Sequence, residues 1–213
     1  MKEKLTIGTH NNKPISWDFS KSPHLVVFGQ TGAGKTFSLY SIIEELINEN
    51  AELYGIDLSQ ISFYSLQNFF TEIAENKETV TDLLNRLYNI TDTSKQRFLF
   101  FENADWLLDD CEVENFDTEK LLQVPNLHII VTCFTLHYPL NVCEPLLDSG
   151  DVLVLKPDPC TIKQYSKFSK IQKFSEQLTP LTEPGEGYLF TEDSVNQVYC
   201  TYPSKIVKII YKI

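Results

Sequence analysis

The stretch HLVVFGQTGAGKT, residues 24–36, decides the fold of this chain. Its apolar first half is typical of a strand buried on both faces of a parallel sheet. The glycine-rich second half ends in Lys35 and Thr36, and the residues that follow repeat apolar side chains at helical spacing, at Leu39, Ile42, Ile43, Leu46 and Ile47. A strand, a glycine-rich loop and a helix in this order predict a phosphate-binding loop.

The loop satisfies every position of the pattern G-x-x-x-x-G-K-[ST]. Glycines let backbone N–H groups wrap around a phosphate, a lysine neutralises the β and γ oxygens, and a hydroxyl ligates Mg²⁺. We therefore expect ATP and Mg²⁺ as cofactors, with Thr36 on the metal. The predicted nucleotide-binding residues are Gly29, Gln30, Thr31, Gly32, Ala33, Gly34, Lys35 and Thr36.

Hydrolysis needs an acid that orients Mg²⁺ at the end of a second strand, commonly followed by a glutamate that polarises water. The candidate strand is FLFFEN, where Glu102 takes the metal-side position and Asn103 the position of the base. Asparagine cannot accept a proton from water at neutral pH, so catalysis is predicted to be degenerate. Asp105 is a second acid nearby, with a helix start as its alternative role.

An arginine from a neighbouring subunit often stabilises the transferred charge in such sites. This chain contains only Arg86, within a predicted helix, and Arg97, at the entrance of a buried strand. Neither position suits that role. Thr132 or Cys133, in the strand IIVTCF, could act as a polar sensor of the γ-phosphate or could simply pack.

The remaining pattern alternates strands with helices and predicts an α/β domain whose mainly parallel sheet is covered on both sides. A β-hairpin is predicted at residues 5–19, helices at 65–74 and 79–89, a second hairpin after EPGEG, and a last strand at 204–213. Aromatic-containing segments at 63–70 and 165–174 could form an exposed partner surface or belong to the core. The whole chain, 1–213, is predicted to be one domain.

Composition narrows the class of protein. The 29 acidic and 18 basic side chains give a net charge of −11, which disfavours binding to the DNA backbone. No apolar run is long enough to span a bilayer, and no secretory signal is visible, so the domain is expected to be cytosolic. The five cysteines and four histidines lack the spacing of disulfide frameworks or zinc sites.

Over nearly its whole length the sequence resembles the FtsK/SpoIIIE class of P-loop motor domains. The similar segments are LTIG (5–8), PISWDF (14–19), the phosphate loop, LYGIDLS (53–59), RFLFFENADWL (97–107) and EPGEGYLF (183–190). The resemblance implies a RecA/FtsK-like P-loop NTPase fold. Within the class, the chain is most similar to the degenerate C-terminal ATPase modules of the EssC/EccC proteins of type VII secretion.

That resemblance also implies a setting for the domain. It would be one module of a larger, membrane-anchored protein at the cytoplasmic face of the cell membrane, hexameric when active. Its partners would be neighbouring ATPase modules of the same chain and secreted helical substrates of the WXG type. Nucleic acid is not expected as a partner, because of the net charge of −11. Gly150 and Asp151 stand about where the motor class supplies its intersubunit arginine.

Three functions remain open from the sequence. The first is an ATP-binding module of a secretion motor with weak or absent hydrolysis, contributing to substrate recognition and assembly. The second is a DNA-translocating FtsK-like ATPase, which would need a basic channel. The third is a substrate-binding module that no longer uses nucleotide and holds a helical signal in an apolar groove.

Overall fold

Ten strands of the described residues form one mixed sheet, in the order β2-β1-β10-β9-β8-β3-β7-β6-β4-β5. The structure is a computed structural model and describes residues 2–104, 116–134 and 140–200, with residues 203, 206 and 208; for 140–143 it describes the backbone alone. The strands are β1 (Lys4–His10), β2 (Lys13–Asp18), β3 (Leu25–Phe28), β4 (Ala51–Ile56), β5 (Glu72–Ala74), β6 (Gln96–Phe101), β7 (Leu127–Cys133), β8 (Asp151–Leu155), β9 (Glu186–Phe190) and β10 (Val195–Cys200).

The sheet has a parallel part and an antiparallel part. Strands β8, β3, β7, β6, β4 and β5 run parallel, with β3 between β8 and β7. The β9–β10 hairpin adds to β8, and the β1–β2 hairpin adds to β10, all antiparallel. The predicted fold class, a mainly parallel sheet with hairpin additions from both ends of the chain, is confirmed.

Helices cover both faces of this sheet. They are α1 (Lys35–Leu46), α2 (Lys77–Tyr88), α3 (Thr118–Leu122), α4 (Leu140–Ser149), α5 (Pro159–Tyr165) and α6 (Ser169–Gln172), with 3₁₀ turns at Tyr64–Phe69 and Ser175–Gln177. The start of α2 is fixed by a capping box, in which Asn76 accepts a hydrogen bond from the Thr79 N–H and the Thr79 hydroxyl accepts one from the Asn76 N–H. None of the helices within the described residues combines the length and the apolarity needed to cross a membrane.

The strand alternation divides the core into two layers. Val26 and Phe28 face a cluster that includes side chains of α2 to α6, whereas Leu25 and Val27 face one formed largely by α1 and the first hairpin. Since neighbouring residues of a strand point to opposite faces, a strand covered on both sides is apolar throughout. The four residues of β3 are accordingly all buried.

The predicted helix at 65–74 is wrong. The chain makes a 3₁₀ turn and then the short strand β5, which pairs with β4. Gly55 allows this close approach, because a Cβ there would lie 3.0 Å from Phe63 and 3.2 Å from Phe70. Pairing with the open edge of β4 satisfies backbone groups that a helix end would leave unpaired.

The aromatic segments belong mainly to the core. Phe63, Phe70 and Tyr165 are buried, although Tyr64 is exposed. The predicted last strand at 204–213 lies outside the described residues except for Ile206 and Lys208, which are helical.

Candidate functional site

The glycine-rich loop lies at the carboxyl end of β3, between the parallel strands β8 and β7. Its first N–H, from Gly29, donates to the Cys133 carbonyl at 3.2 Å, which ties the loop to the end of β7. Gly34 has φ 103° and precedes α1, and no side chain caps the helix. Only glycine adopts that conformation without strain. The first N–H groups of α1 therefore point, with the positive end of the helix dipole, toward any anion held by the loop.

The turn before β9 packs against the other side of the loop. The Gly185 N–H donates to the Ala33 carbonyl at 2.9 Å, and a Cβ at Gly34 would lie 3.1 Å from the Gly185 nitrogen. This turn is the EPGEG segment that supports the family resemblance. Its contact with the phosphate loop was not predicted, because no local pattern indicates a contact between residues as far apart in sequence as Ala33 and Gly185.

A cavity of about 600 Å³ opens beside the loop. Its volume is in the range of small-molecule sites in proteins. Eight predicted site residues line it, as do apolar side chains that the sequence did not indicate. The lining residues are Gln30, Thr31, Gly32, Gly34, Lys35, Thr36, Phe37, Glu102, Asn103, Phe134 and Pro184. Ala33 is fully buried and supports the loop from below.

Gln30 connects the loop to α5. Its side-chain amide donates to Asp158 Oδ2 at 3.2 Å, while Asp158 Oδ1 caps α5 by accepting from the Thr161 N–H at 2.6 Å. These bonds, chiefly the one from Thr161, hold the pKa of the Asp158 carboxyl below its usual value. The carboxylate thus fixes one side of the loop.

Glu102 lies directly after β6 and is buried among hydroxyl groups. Its Oε1 accepts from Thr36 Oγ1 at 2.8 Å and more weakly from Ser62 Oγ at 3.4 Å, while its Oε2 accepts from Thr132 Oγ1 at 3.0 Å. Burial raises the pKa of the Glu102 carboxyl, and the bonds from Thr36 and Thr132 oppose that rise. The structure thus brings Glu102 to the phosphate loop even though β7 separates their strands.

The donor set at this point fits Mg²⁺. Because the Thr36 hydroxyl donates its proton to Glu102, its oxygen lone pairs are left for a cation on the cavity side. Hydroxyl and carboxylate oxygens are the ligands that Mg²⁺ prefers, usually completed by water and phosphate. Bound there, Mg²⁺ would neutralise phosphate charge.

Asn103 lines the cavity but holds an unusual backbone conformation. Its φ is +51°, and its N–H donates to Thr132 Oγ1 at 2.7 Å. Asparagine is enriched in this left-handed region, where another L-residue such as glutamate is disfavoured by about 1 kcal/mol. Both the side chain and the backbone at this position therefore differ from what a glutamate base would favour.

Of the two candidate sensors, Thr132 contacts the acid. Its hydroxyl bridges the Glu102 carboxylate and the Asn103 N–H, whereas Cys133 packs in the core. Ser62 was not predicted to belong to the site; its carbonyl accepts from Tyr40 Oη at 2.7 Å. Ser62 follows β4, which ends at the carboxyl edge of the sheet. That position in the sequence could have indicated that Ser62 lies near the site.

Neither arginine lies near the loop. Arg97 is buried at the amino end of β6 and pairs with Glu52, while Arg86 pairs with Glu72 at the start of β5. Asp151 begins β8 at that same far edge. Gly150 precedes Asp151. A Cβ on Gly150 would lie 2.7 Å from the carbonyl oxygens of His24 and Leu146, so a larger residue does not fit there. Asp105 lies outside the described residues.

Comparison with protein families gives one match over more than half of the chain. A family model described as AAA domain matches residues 20–136, which include the phosphate loop, Glu102 and Thr132. The FtsK domain-containing protein YdcQ of Bacillus subtilis (strain 168) is 40% identical over 45 residues, which make up 21% of this chain and 9% of that protein.

Two solved structures share the fold. EccC of Thermomonospora curvata (ATPases 2 and 3), in complex with a signal sequence peptide, matches with a TM-score of 0.68 and 20% identity over 94% of this chain and 40% of its own. The pCW3 conjugation coupling protein TcpA, in a monomer form with ATPγS, matches with a TM-score of 0.74 and 15% identity over 98% of this chain and 71% of its own. The predicted resemblance to FtsK-type P-loop domains and EccC modules is thus confirmed for the fold. The chain spans less than half the length of YdcQ and of that EccC chain.

Proposed function

The chain belongs to the AAA domain family, and on this premise we propose that it is an ATP-binding module of a type VII protein-secretion motor with weak or absent hydrolysis. It binds ATP with Mg²⁺ through the phosphate loop and Glu102. Nucleotide occupancy sets the shape of the domain and its contacts. The observation that carries the proposal is the pairing of a complete phosphate loop with Asn103 at the position of the base.

Retention of binding is supported by the geometry of the loop. The start of α1 lacks a side-chain cap, the cavity beside it is large enough for a small ligand, and Lys35 and Thr36 both line that cavity. The oxygen donors of Thr36 and Glu102 lie within 2.8 Å of each other. These are the groups that phosphate and Mg²⁺ require.

Weak hydrolysis is supported by what surrounds Glu102. Asn103 cannot take a proton from water, and Thr132 already donates to Glu102 Oε2. Arg86 and Arg97, the only arginines of the sequence, make ion pairs at the opposite edge of the sheet. General-base catalysis contributes a factor of about 10² to 10⁴, so its loss alone makes turnover slow.

The partners follow from the same proposal. The domain is one module of a longer chain that forms hexamers at the cytoplasmic face of the membrane. Neighbouring ATPase modules of that chain pack around it, and helical export substrates of the WXG type bind to it. The EccC structure with a signal sequence peptide supports a peptide partner, and the net charge of −11 disfavours a DNA backbone. A DNA translocase of the FtsK type is the competing function.

The test compares the wild type with Lys35→Ala. Nucleotide binding is measured by calorimetry and turnover by phosphate release. Removing the cation is expected to weaken ATP binding at least about tenfold, because a charge-assisted bond to phosphate is lost. Wild-type turnover should stay close to that of the variant. Lys120→Ala is the control, since Lys120 is exposed and pairs with Asp117 on the surface.

Two results would contradict parts of the proposal. Rapid turnover by the wild type that disappears in Lys35→Ala would overturn weak hydrolysis. If millimolar ATP leaves the melting temperature unchanged while a helical substrate peptide raises it, the nucleotide-independent binding module is the better description.

A further inference from the structure

The lysine of the phosphate loop is held by groups of the protein itself. Lys35 is only 7% exposed, its Nζ donates to the Gly29 carbonyl at 2.7 Å, and it lies 5.3 Å from the centroid of the Phe134 ring. That distance is within the range of a cation–π contact. The ammonium group that should neutralise the β and γ oxygens of a nucleotide thus already has an aromatic partner on the cavity side.

The backbone fixes the position of Phe134. Strand β7 pairs in parallel with β3, so Cys133 lies opposite Phe28, and the Gly29 N–H donates to the Cys133 carbonyl. Phe134 follows directly and therefore stands level with the first residue of the loop. Its side chain is 40% exposed and lines the cavity. The ring thus lies close to Lys35 on the side from which a ligand would enter.

We propose that Phe134 determines how well the site distinguishes a nucleoside triphosphate from a diphosphate; this inference rests on the proposed nucleotide binding. The β-phosphate is held mainly by the N–H groups of the loop and of α1. The γ-phosphate depends more on Lys35 and must displace the ring to reach it. Its added attraction is therefore offset by the lost cation–π contact, and the site binds di- and triphosphate with similar affinity.

Three proteins distinguish the effect of the aromatic face from the effect of side-chain volume: the wild type, Phe134→Leu and Phe134→Tyr. Leucine keeps an apolar side chain but has no π face, whereas tyrosine keeps the face. Calorimetric titration with ADP and with ATPγS, each with excess Mg²⁺, gives the ratio of the two affinities. A ratio of affinities is insensitive to a general loss of stability, which would weaken both nucleotides alike.

The wild type and Phe134→Tyr are expected to bind the two nucleotides within about threefold of each other. In Phe134→Leu the affinity for ATPγS should rise about tenfold while that for ADP changes by less than about threefold, as the loss of one cation–π contact predicts.

The inference is overturned if the wild type already prefers ATPγS by tenfold or more, or if leucine leaves the ratio unchanged. Absence of binding by both nucleotides in all three proteins would instead refute the proposed function, and this inference with it.

Discussion

The two edges of the parallel sheet use buried polar groups in opposite ways. At the amino edge Arg97 is only 3% exposed, and its guanidinium donates to the carboxylates of Glu52 and Asp92 and to the Asp92 carbonyl. At the carboxyl edge Thr36, Glu102 and Lys35 also bond to protein groups, but all three line a cavity. Buried polar groups that saturate one another stabilise a fold, whereas those that adjoin a cavity can exchange partners for a ligand.

The largest effect is expected at the amino edge, from Arg97→Ala. Removing the guanidinium leaves Glu52 partly unpaired and exposes a gap, so the free energy of unfolding should fall by about 3 kcal/mol in urea denaturation. The nucleotide affinity of the folded protein should not change. Arg86→Ala is the matched control, since that pair is largely exposed and should cost less than about 1 kcal/mol. Equal losses in both variants would contradict the assigned structural role.

The same edge should give the protein an acid-sensitive stability through His24. Burial, and secondly the charge of His128, lower the pKa of His24 to about 4, and its Nδ1 accepts from the Ile129 N–H at 3.2 Å. Between pH 6.5 and 4 the native state therefore binds fewer protons than the unfolded state. His24 therefore does not reduce the free energy of unfolding above pH 6.5. As the pH falls from 6.5 toward 4, that free energy decreases by up to about 3 kcal/mol.

The measurement compares wild type with His24→Asn across this pH range. Asparagine retains an acceptor for the Ile129 N–H but does not titrate. The variant should therefore lose less stability on acidification than the wild type. Burial raises the pKa of Asp151 to about 6, which works in the opposite direction below pH 6. The comparison cancels that contribution, because both proteins contain Asp151. Identical slopes for the two proteins would show that His24 does not contribute.

The smallest effect is expected at the carboxyl edge, from Glu102→Gln. The amide oxygen can still accept from Thr36 while its NH2 group donates to the Thr132 hydroxyl oxygen, and the substitution removes a buried charge, so stability near pH 7 should not fall. Affinity for ATP with Mg²⁺ should decrease about tenfold, while affinity in EDTA should stay the same or increase because repulsion between carboxylate and phosphate is removed. Glu119→Gln, on an exposed helical position, is the control. Equal loss with and without Mg²⁺ would argue against Glu102 as the acid beside the metal.

The glycine-rich loop between β3 and α1 could be predicted because its conformation depends on local chemistry. Glycines at fixed spacing, a buried strand before them and helical periodicity after them point to one local structure. The helix at 65–74 failed for the opposite reason. Its apolar spacing also fits a 3₁₀ turn followed by an edge strand, and the choice depended on Gly55 in another strand.

The chain's own sequence determined the α/β architecture, the loop Gly29–Thr36 and the pairing of Glu102 with Asn103, since each is set by residue type and short-range spacing. Tertiary structure alone decided that Thr132 bridges Glu102 and Asn103 and that Gly185 abuts the loop. It also decided that the Phe134 ring lies over Lys35. These contacts arise where separate strands end side by side, and strand order depends on the packing of the whole sheet rather than on any local pattern.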